Sequence, residues 1–362
     1  MRTMRAPMRH ALLGSLLLLS VAGCGGGDEV LDAAAPDADT FQRLVEADPP
    51  LSPSPDALAA SLTCTPFTHP DKPAVLLVHG TFTSGFEQYE WTYLPLLQNR
   101  GYDVCYVTYP DRGFGDSQIS GEYVVHAIRE TFRRSGRRIA VVGHSQGVTV
   151  VRWALRWFPS TRVAVDDFIA QAGPNQGTAN TSVFSTIASL GLIGIPESFH
   201  QFNPDSRFIE ASNRGDQTPG DVSYTALYTL FDELVQPVQP VPTAALDFGL
   251  DNPRVSNILL QDVCPGRIVD HVTIGLNDAL TFTLALDAFD HPGPASVERV
   301  LAAAGGQTGL CGPLSLLPDL VIPPLPQLLR GIVTIVLKEP STGLPTLHLS
   351  RTEPELQPYA QP

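Results

Sequence analysis

The most constraining stretch of this 362-residue chain is five residues long: Gly143-His144-Ser145-Gln146-Gly147. It follows the short branched run Ile139-Ala140-Val141-Val142, which reads as a buried strand. It precedes residues 148–158, mostly apolar with Arg152 and Arg156 four positions apart, which read as a helix. A strand that turns straight into a helix forces the residue at the apex into strained dihedrals, and a Cβ on either flank would strike neighbouring backbone. Glycine at 143 and 147 answers that demand. Ser145 then stands at the carboxyl edge of a sheet, beside a helix N-terminus whose free N–H groups favour developing negative charge. It is the candidate nucleophile. The pentapeptide alone recurs by chance; the strand before it and the helix after it give it weight.

From residue 73 onward, short β-rich runs alternate with longer helix-like stretches. Residues 74–78, 104–109 and 138–142 consist mainly of Val, Leu, Ile and Tyr without clean alternation, as expected of strands covered on both faces. Between the last two, residues 119–134 carry Tyr123, Val124, Ala127, Ile128 and Phe132 near helical spacing. Further strand-like runs lie at 167–171, 224–230 and 267–269. Strand, helix, strand at this spacing calls for a right-handed parallel crossover, so the expected fold class is α/β: an open, mostly parallel sheet with helices on both faces.

A serine that attacks an acyl carbon needs donors for the oxygen that becomes negative. One is the backbone N–H of Gln146, directly after the nucleophile. The second belongs in the loop after an earlier strand, and Leu77-Val78-His79-Gly80-Thr81-Phe82 places Thr81 N–H there. The partners should follow in the order Ser, acid, His. Of the histidines beyond the acid region, His271 sits at the end of a strand-like run, His291 precedes Pro292 in a turn and His348 lies near the C-terminus; His271 is the candidate base. For the acid, residues 224–230 end at Phe231-Asp232-Glu233, and the shorter Asp232 at the strand end is preferred to Glu233. Asp270 adjoins His271 but should point away from it, because successive side chains of an extended segment face opposite sides.

Charge excludes some partners. With 23 Lys and Arg against 37 Asp and Glu the net charge is −14, which leaves no basic face for nucleic acid or anionic lipid. Residues 1–23 read as a signal peptide of lipoprotein type: Arg2, Arg5, Arg9 and His10 precede a short apolar run too short to span a bilayer. The run ends in Val21-Ala22-Gly23-Cys24, which resembles a bacterial lipobox, so Cys24 is the expected lipidation site and the only membrane attachment. Five cysteines leave one odd, and removing Cys24 leaves the even set Cys64, Cys105, Cys264 and Cys311 for an oxidising compartment. Residues 24–58, acidic and rich in Pro, read as a tether, and residues 59–362 as the folded domain. Residues 182–195 carry no charge and are mostly apolar, fitting the flank of an acyl pocket, a partial lid or a packing helix; residues 316–337 are apolar but hold Asp319, Arg330 and four Pro, which excludes a membrane helix.

Together these residues resemble the lipase B group of α/β-hydrolases, the family typified by Candida antarctica lipase B. The most telling segments are residues 72–83, 101–106, 145–147, 173–178, 223–237 with Asp232-Glu233-Leu234-Val235-Gln236-Pro237, 269–271 and 353–360. Position by position, the resemblance implies Ser145 as nucleophile, Asp232 as acid and His271 as base. It implies Thr81 and Gln146 as the oxyanion hole, with the Thr81 hydroxyl as an extra donor, and disulfides Cys64–Cys105 and Cys264–Cys311. Three departures stand out. Thr352 replaces a cysteine of a third disulfide, Gly143-His144 replaces Thr and Trp ahead of the nucleophile, and Pro174 replaces an acidic residue. The expected activity is hydrolysis of lipophilic carboxylic esters, such as acyl glycerols, through an acyl-enzyme, by a monomer without metal or organic cofactor. Polyester depolymerase and acyltransferase are alternatives on the same site, and a non-catalytic surface-anchored binding protein is a third.

Overall fold

The computed structural model describes residues 36–181, 186, 193–312 and 345–362. The expected signal peptide, Cys24, residues 316–337 and most of 182–195 lie outside them. Among the described residues the strands are β1 (Leu62–Cys64), β2 (Val75–Val78), β3 (Val104–Val107), β4 (Ile139–His144), β5 (Val165–Gln171), β6 (Ile195–Pro196), β7 (Ser223–Tyr228), β8 (Val255–Leu259) and β9 (Leu349–Ser350). Seven form one sheet in the order β1-β3-β2-β4-β5-β7-β8. All neighbours in it are parallel except β1, which pairs antiparallel with β3. β6 and β9 make a separate two-stranded ribbon.

Alternate residues of the central strands feed two cores. Leu76, Val78, Val141 and Phe168 face one side, where helices α1 (Ala38–Ala47), α2 (Pro55–Ala60), α5 (Ser117–Ser135), α6 (Gln146–Trp157) and α7 (Pro159–Ala164) cover them. Val75, Leu77, Val142 and Ile169 face the other, against α3 (Gly85–Tyr89), α4 (Tyr93–Gln98) and the later helices His271–Leu276 and Ala279–Asp290. Burial on both faces is why these strands lack polar alternation.

Two expectations need correction. Residues 267–269 are not a strand: Ile268 is 74% exposed, and the nearest pairing is an isolated bridge between Phe231 and Asp270. The sheet's outer strand is instead β8, whose Ser256 and Asn257 hid it; the Asn257 side chain bonds both backbone groups of Leu246. The tether expected over residues 24–58 does not extend through them, because from Ala38 the chain is folded onto the domain. Asp37 caps α1 by accepting from Thr40 N, and Phe41 is buried with its ring centroid 4.4 Å from that of Phe132. Asp48, buried, accepts from Arg129 at 2.6 Å. Further along, the buried Glu122 of α5 accepts from Ser52 N on one oxygen and from the Tyr359 hydroxyl, at 3.1 Å, on the other.

Among the described residues the disulfides are Cys64–Cys105 and Cys264–Cys311. The first joins directly paired residues of β1 and β3.

Candidate active site

Ser145 lies between β4 and α6 with φ 55° and ψ −122°, a backbone region that L-residues rarely occupy. Its flanking glycines are sterically required. A Cβ on Gly143 would lie 2.9 Å from the Gly147 carbonyl and Val148 N, and one on Gly147 would collide with the carbonyl oxygens of Val78 and His79. The strained turn is thus held by close backbone packing between β2 and the start of α6, and Ser145 N–H donates to Gln171 O of β5 at 2.9 Å.

The imidazole comes from the far side of the sequence. His271 is the first residue of its helix, with Asp270 as N-cap accepting from Thr273 N–H at 2.7 Å. Asp270 therefore serves the helix and not the ring. His271 Nε2 is 2.9 Å from Ser145 Oγ, and Nδ1 is 3.0 Å from both oxygens of Asp232. A carboxylate only accepts, so Nδ1 carries a proton and Nε2 presents its lone pair to the serine hydroxyl. Asp232, buried, is fixed by a turn in which its Oδ1 accepts from Leu234 N (2.9 Å) and Val235 N (2.7 Å). In that turn Asp232 and Glu233 both face His271. Glu233 reaches the same residue from outside, accepting from His271 N–H at 3.1 Å.

On the opposite side lies the loop after β2. Gly80 N–H donates to Gln88 Oε1 at 3.1 Å and Phe82 N–H to Arg112 O at 2.9 Å, so the amides on either side of Thr81 are both engaged. The Thr81 hydroxyl donates to Gln146 Oε1 at 2.8 Å, and Gln146 Nε2 donates to Gly113 O at 3.0 Å. Gln146 N–H opens α6, where no carbonyl of the same helix can reach it. His79 is buried and stacked on Tyr109 with centroids 3.9 Å apart, and its loss of water pushes its pKa down to about 4. The other histidines stand elsewhere: His291 Nδ1 lies 2.8 Å from Asp287 O, and His348 Nε2 lies 2.7 Å from Asp111.

A cavity of about 520 Å3 opens at Ser145 and His271, walled by Phe82, Phe199, Phe202, Leu234, Val272 and Leu276 among others. Gln88, His144 and Glu233 are the contributors that sequence reasoning did not assign. Only the position of His144 beside the serine and of Glu233 beside Asp232 gave any signal.

Residues 75–309 match the model of the alpha/beta hydrolase family. Lipase B of Pseudozyma antarctica is 30% identical over 354 residues, which is 95% of each chain. This chain belongs to the lipase B group of α/β-hydrolases. The crystal structure of Aspergillus fumigatus lipase B superposes with a TM-score of 0.72 at 30% identity, covering 87% of this chain and 74% of that one. Membership of the lipase B group makes the chain a carboxylic ester hydrolase of the lipase and esterase class, on the fold expected of it. The two disulfides among the described residues fit an exported member.

Proposed function

We propose that the chain hydrolyses lipophilic carboxylic esters, acyl glycerols or similar, with Ser145 as nucleophile, His271 as base and Asp232 as the acid that orients it. The observation that carries this reading is the unbroken path from Ser145 Oγ through Nε2 and Nδ1 to the Asp232 carboxylate, at 2.9 and 3.0 Å. As Oγ attacks the acyl carbon, its proton passes to Nε2, and the buried carboxylate stabilises the imidazolium. The former carbonyl oxygen takes the electron pair and is held by the backbone N–H groups of Thr81 and Gln146. The Thr81 hydroxyl donates to Gln146 Oε1 at 2.8 Å and would have to swing away from it to add a third donor. Collapse expels the alcohol, which takes the proton from Nε2. Water, deprotonated by His271, then releases the acid and restores Ser145.

The apolar walls of the cavity support an acyl chain as the bound group. Ser145→Ala should lower kcat by at least ~10³ on a soluble p-nitrophenyl ester; equal rates would refute the reading. A panel of triolein, short p-nitrophenyl esters and a polyester film then ranks acyl glycerols against polymer, and added alcohols report acyl transfer. Lipidation at Cys24 is part of the same proposal, supported by the lipobox-like Val21-Ala22-Gly23-Cys24. Cys24→Ser should move the enzyme from the membrane fraction to the soluble one, and unchanged partitioning would refute the anchor.

A further inference from the structure

We propose that Gln88 and His144 are positioning residues, a buried relay that ties the oxyanion loop to the main chain of His271 and keeps the base in register with Ser145. The inference rests on the reading of His271 as the base.

The path is continuous and its polarity is forced. His271 O can only accept, so His144 Nε2, 2.8 Å away, carries a proton and donates it. In a neutral imidazole Nδ1 is then an acceptor, and Gln88 Nε2 donates to it at 3.1 Å. That fixes the amide of Gln88, turning Oε1 to accept from Gly80 N–H at 3.1 Å. Each assignment leaves one choice for the next. Gln88 and His144 are both buried, so water is a poor substitute for any link.

Two neighbouring features fit the same role. Gly275 lies against the His144 ring, and a Cβ there would overlap it. Glu233 holds His271 N–H from outside, so the main chain of His271 is gripped at its N–H by Glu233 and at its carbonyl by His144, while Asp232 holds the ring. The relay also needs His144 to stay uncharged. Burial and the neighbouring His271 push its pKa down to about 3, against smaller opposing pulls from the hydrogen bond to His271 O and from Asp232, with His79 also nearby and lowering it. The ring centroids of His144 and His271 are 5.1 Å apart, close enough for a second positive charge to oppose the imidazolium formed during the reaction.

The test has two arms. In the wild-type enzyme, 15N NMR of the histidine rings should find His144 neutral and protonated at Nε2 from pH 5 to 8. A His144 that titrates near pH 6.5, or carries its proton on Nδ1, overturns the relay. In the second arm, His144→Phe keeps ring volume without a donor, while His144→Gln keeps a donor near the Nε2 position. With a soluble short-chain ester and rates normalised to sites labelled by a fluorophosphonate, H144F should lose about tenfold or more in kcat with KM nearly unchanged, and H144Q should recover most of it. H144F matching or exceeding H144Q would mean that His144 only fills space and would overturn the inference. The NMR arm decides if a variant fails to fold. Failure of the underlying reading is separate: it would appear as an active Ser145→Ala enzyme.

Discussion

Replacing Asp232 with Asn changes one atom and, by the geometry around it, should reverse the tautomer of His271. Oδ1 of Asp232 already accepts from Leu234 N and Val235 N at 2.9 and 2.7 Å, and both oxygens lie 3.0 Å from Nδ1. In the Asp232→Asn variant the carboxamide oxygen belongs where those two backbone donors point, which uses both its lone pairs. The NH2 group then faces Nδ1, so Nδ1 must be the bare nitrogen and the proton moves to Nε2. Nε2 can no longer accept from Ser145. Loss of the charge that stabilises the imidazolium adds to this, and a fall in kcat of about 10³–10⁴, or roughly 4–5.5 kcal/mol of barrier, is expected. Because the two turn hydrogen bonds survive, Tm should move by little. The assay is kcat on a soluble p-nitrophenyl ester, with the slowed fluorophosphonate labelling rate as a second measure and circular dichroism for Tm. An Asp232→Asn enzyme within tenfold of wild type, at equal Tm, would refute the assigned roles.

Stability should depend on acid through the two buried, neutral histidines. His79 and His144 have folded pKa values of about 4 and about 3, below the ~6.5 of an open chain, so the unfolded state binds more protons as pH falls. Stability should therefore be full above pH 7 and drop by about 4 kcal/mol between pH 7.5 and 5, read from urea midpoints. The raised carboxyls of Asp116 and Glu122 act in the opposite sense and blunt the loss near its lower end; a flat profile would contradict burial of neutral imidazoles. Gly147→Ala should cost about 1–3 kcal/mol, since the new methyl meets the carbonyls of Val78 and His79, and a wild-type Tm would show that the turn relaxes. Opening the 47-residue loop with Cys264→Ala and Cys311→Ala together should lower unfolding free energy by about 4 kcal/mol, checked by urea unfolding of the double variant.

What the sequence disclosed and what it concealed follow from the range of the forces involved. β2, β3, β4, β5 and β7 were legible because a strand covered on both faces must be apolar throughout, and that is a local property. β8 was not, because Asn257 meets its hydrogen-bonding needs with Leu246 and so tolerates a polar strand. Residues 267–269 misled for the converse reason: Ile268 is apolar yet exposed. α1 looked like tether because Asp48 is stabilised by Arg129, 81 positions later, which local composition cannot register. In the site, the elbow at Ser145 was readable because its two glycines stand between an apolar strand run and a helical one, all of it local sequence. Glu233, Gln88 and His144 were hidden because each acts on a backbone atom, of His271 or of Gly80, and backbone partners leave no mark on residue type.

The shared carboxylate of Glu122 couples parts of the chain that are made far apart in time. During vectorial synthesis Ser52 is made first and can serve both oxygens, its N–H one and its hydroxyl, at 3.3 Å, the other, whereas the Tyr359 hydroxyl arrives only with the last residues. A nascent chain therefore lacks the Tyr359 donor to this buried acid of α5 until its last segment arrives. Trimming either terminal segment should loosen the grip on the other, so deletions at the two ends should not be additive.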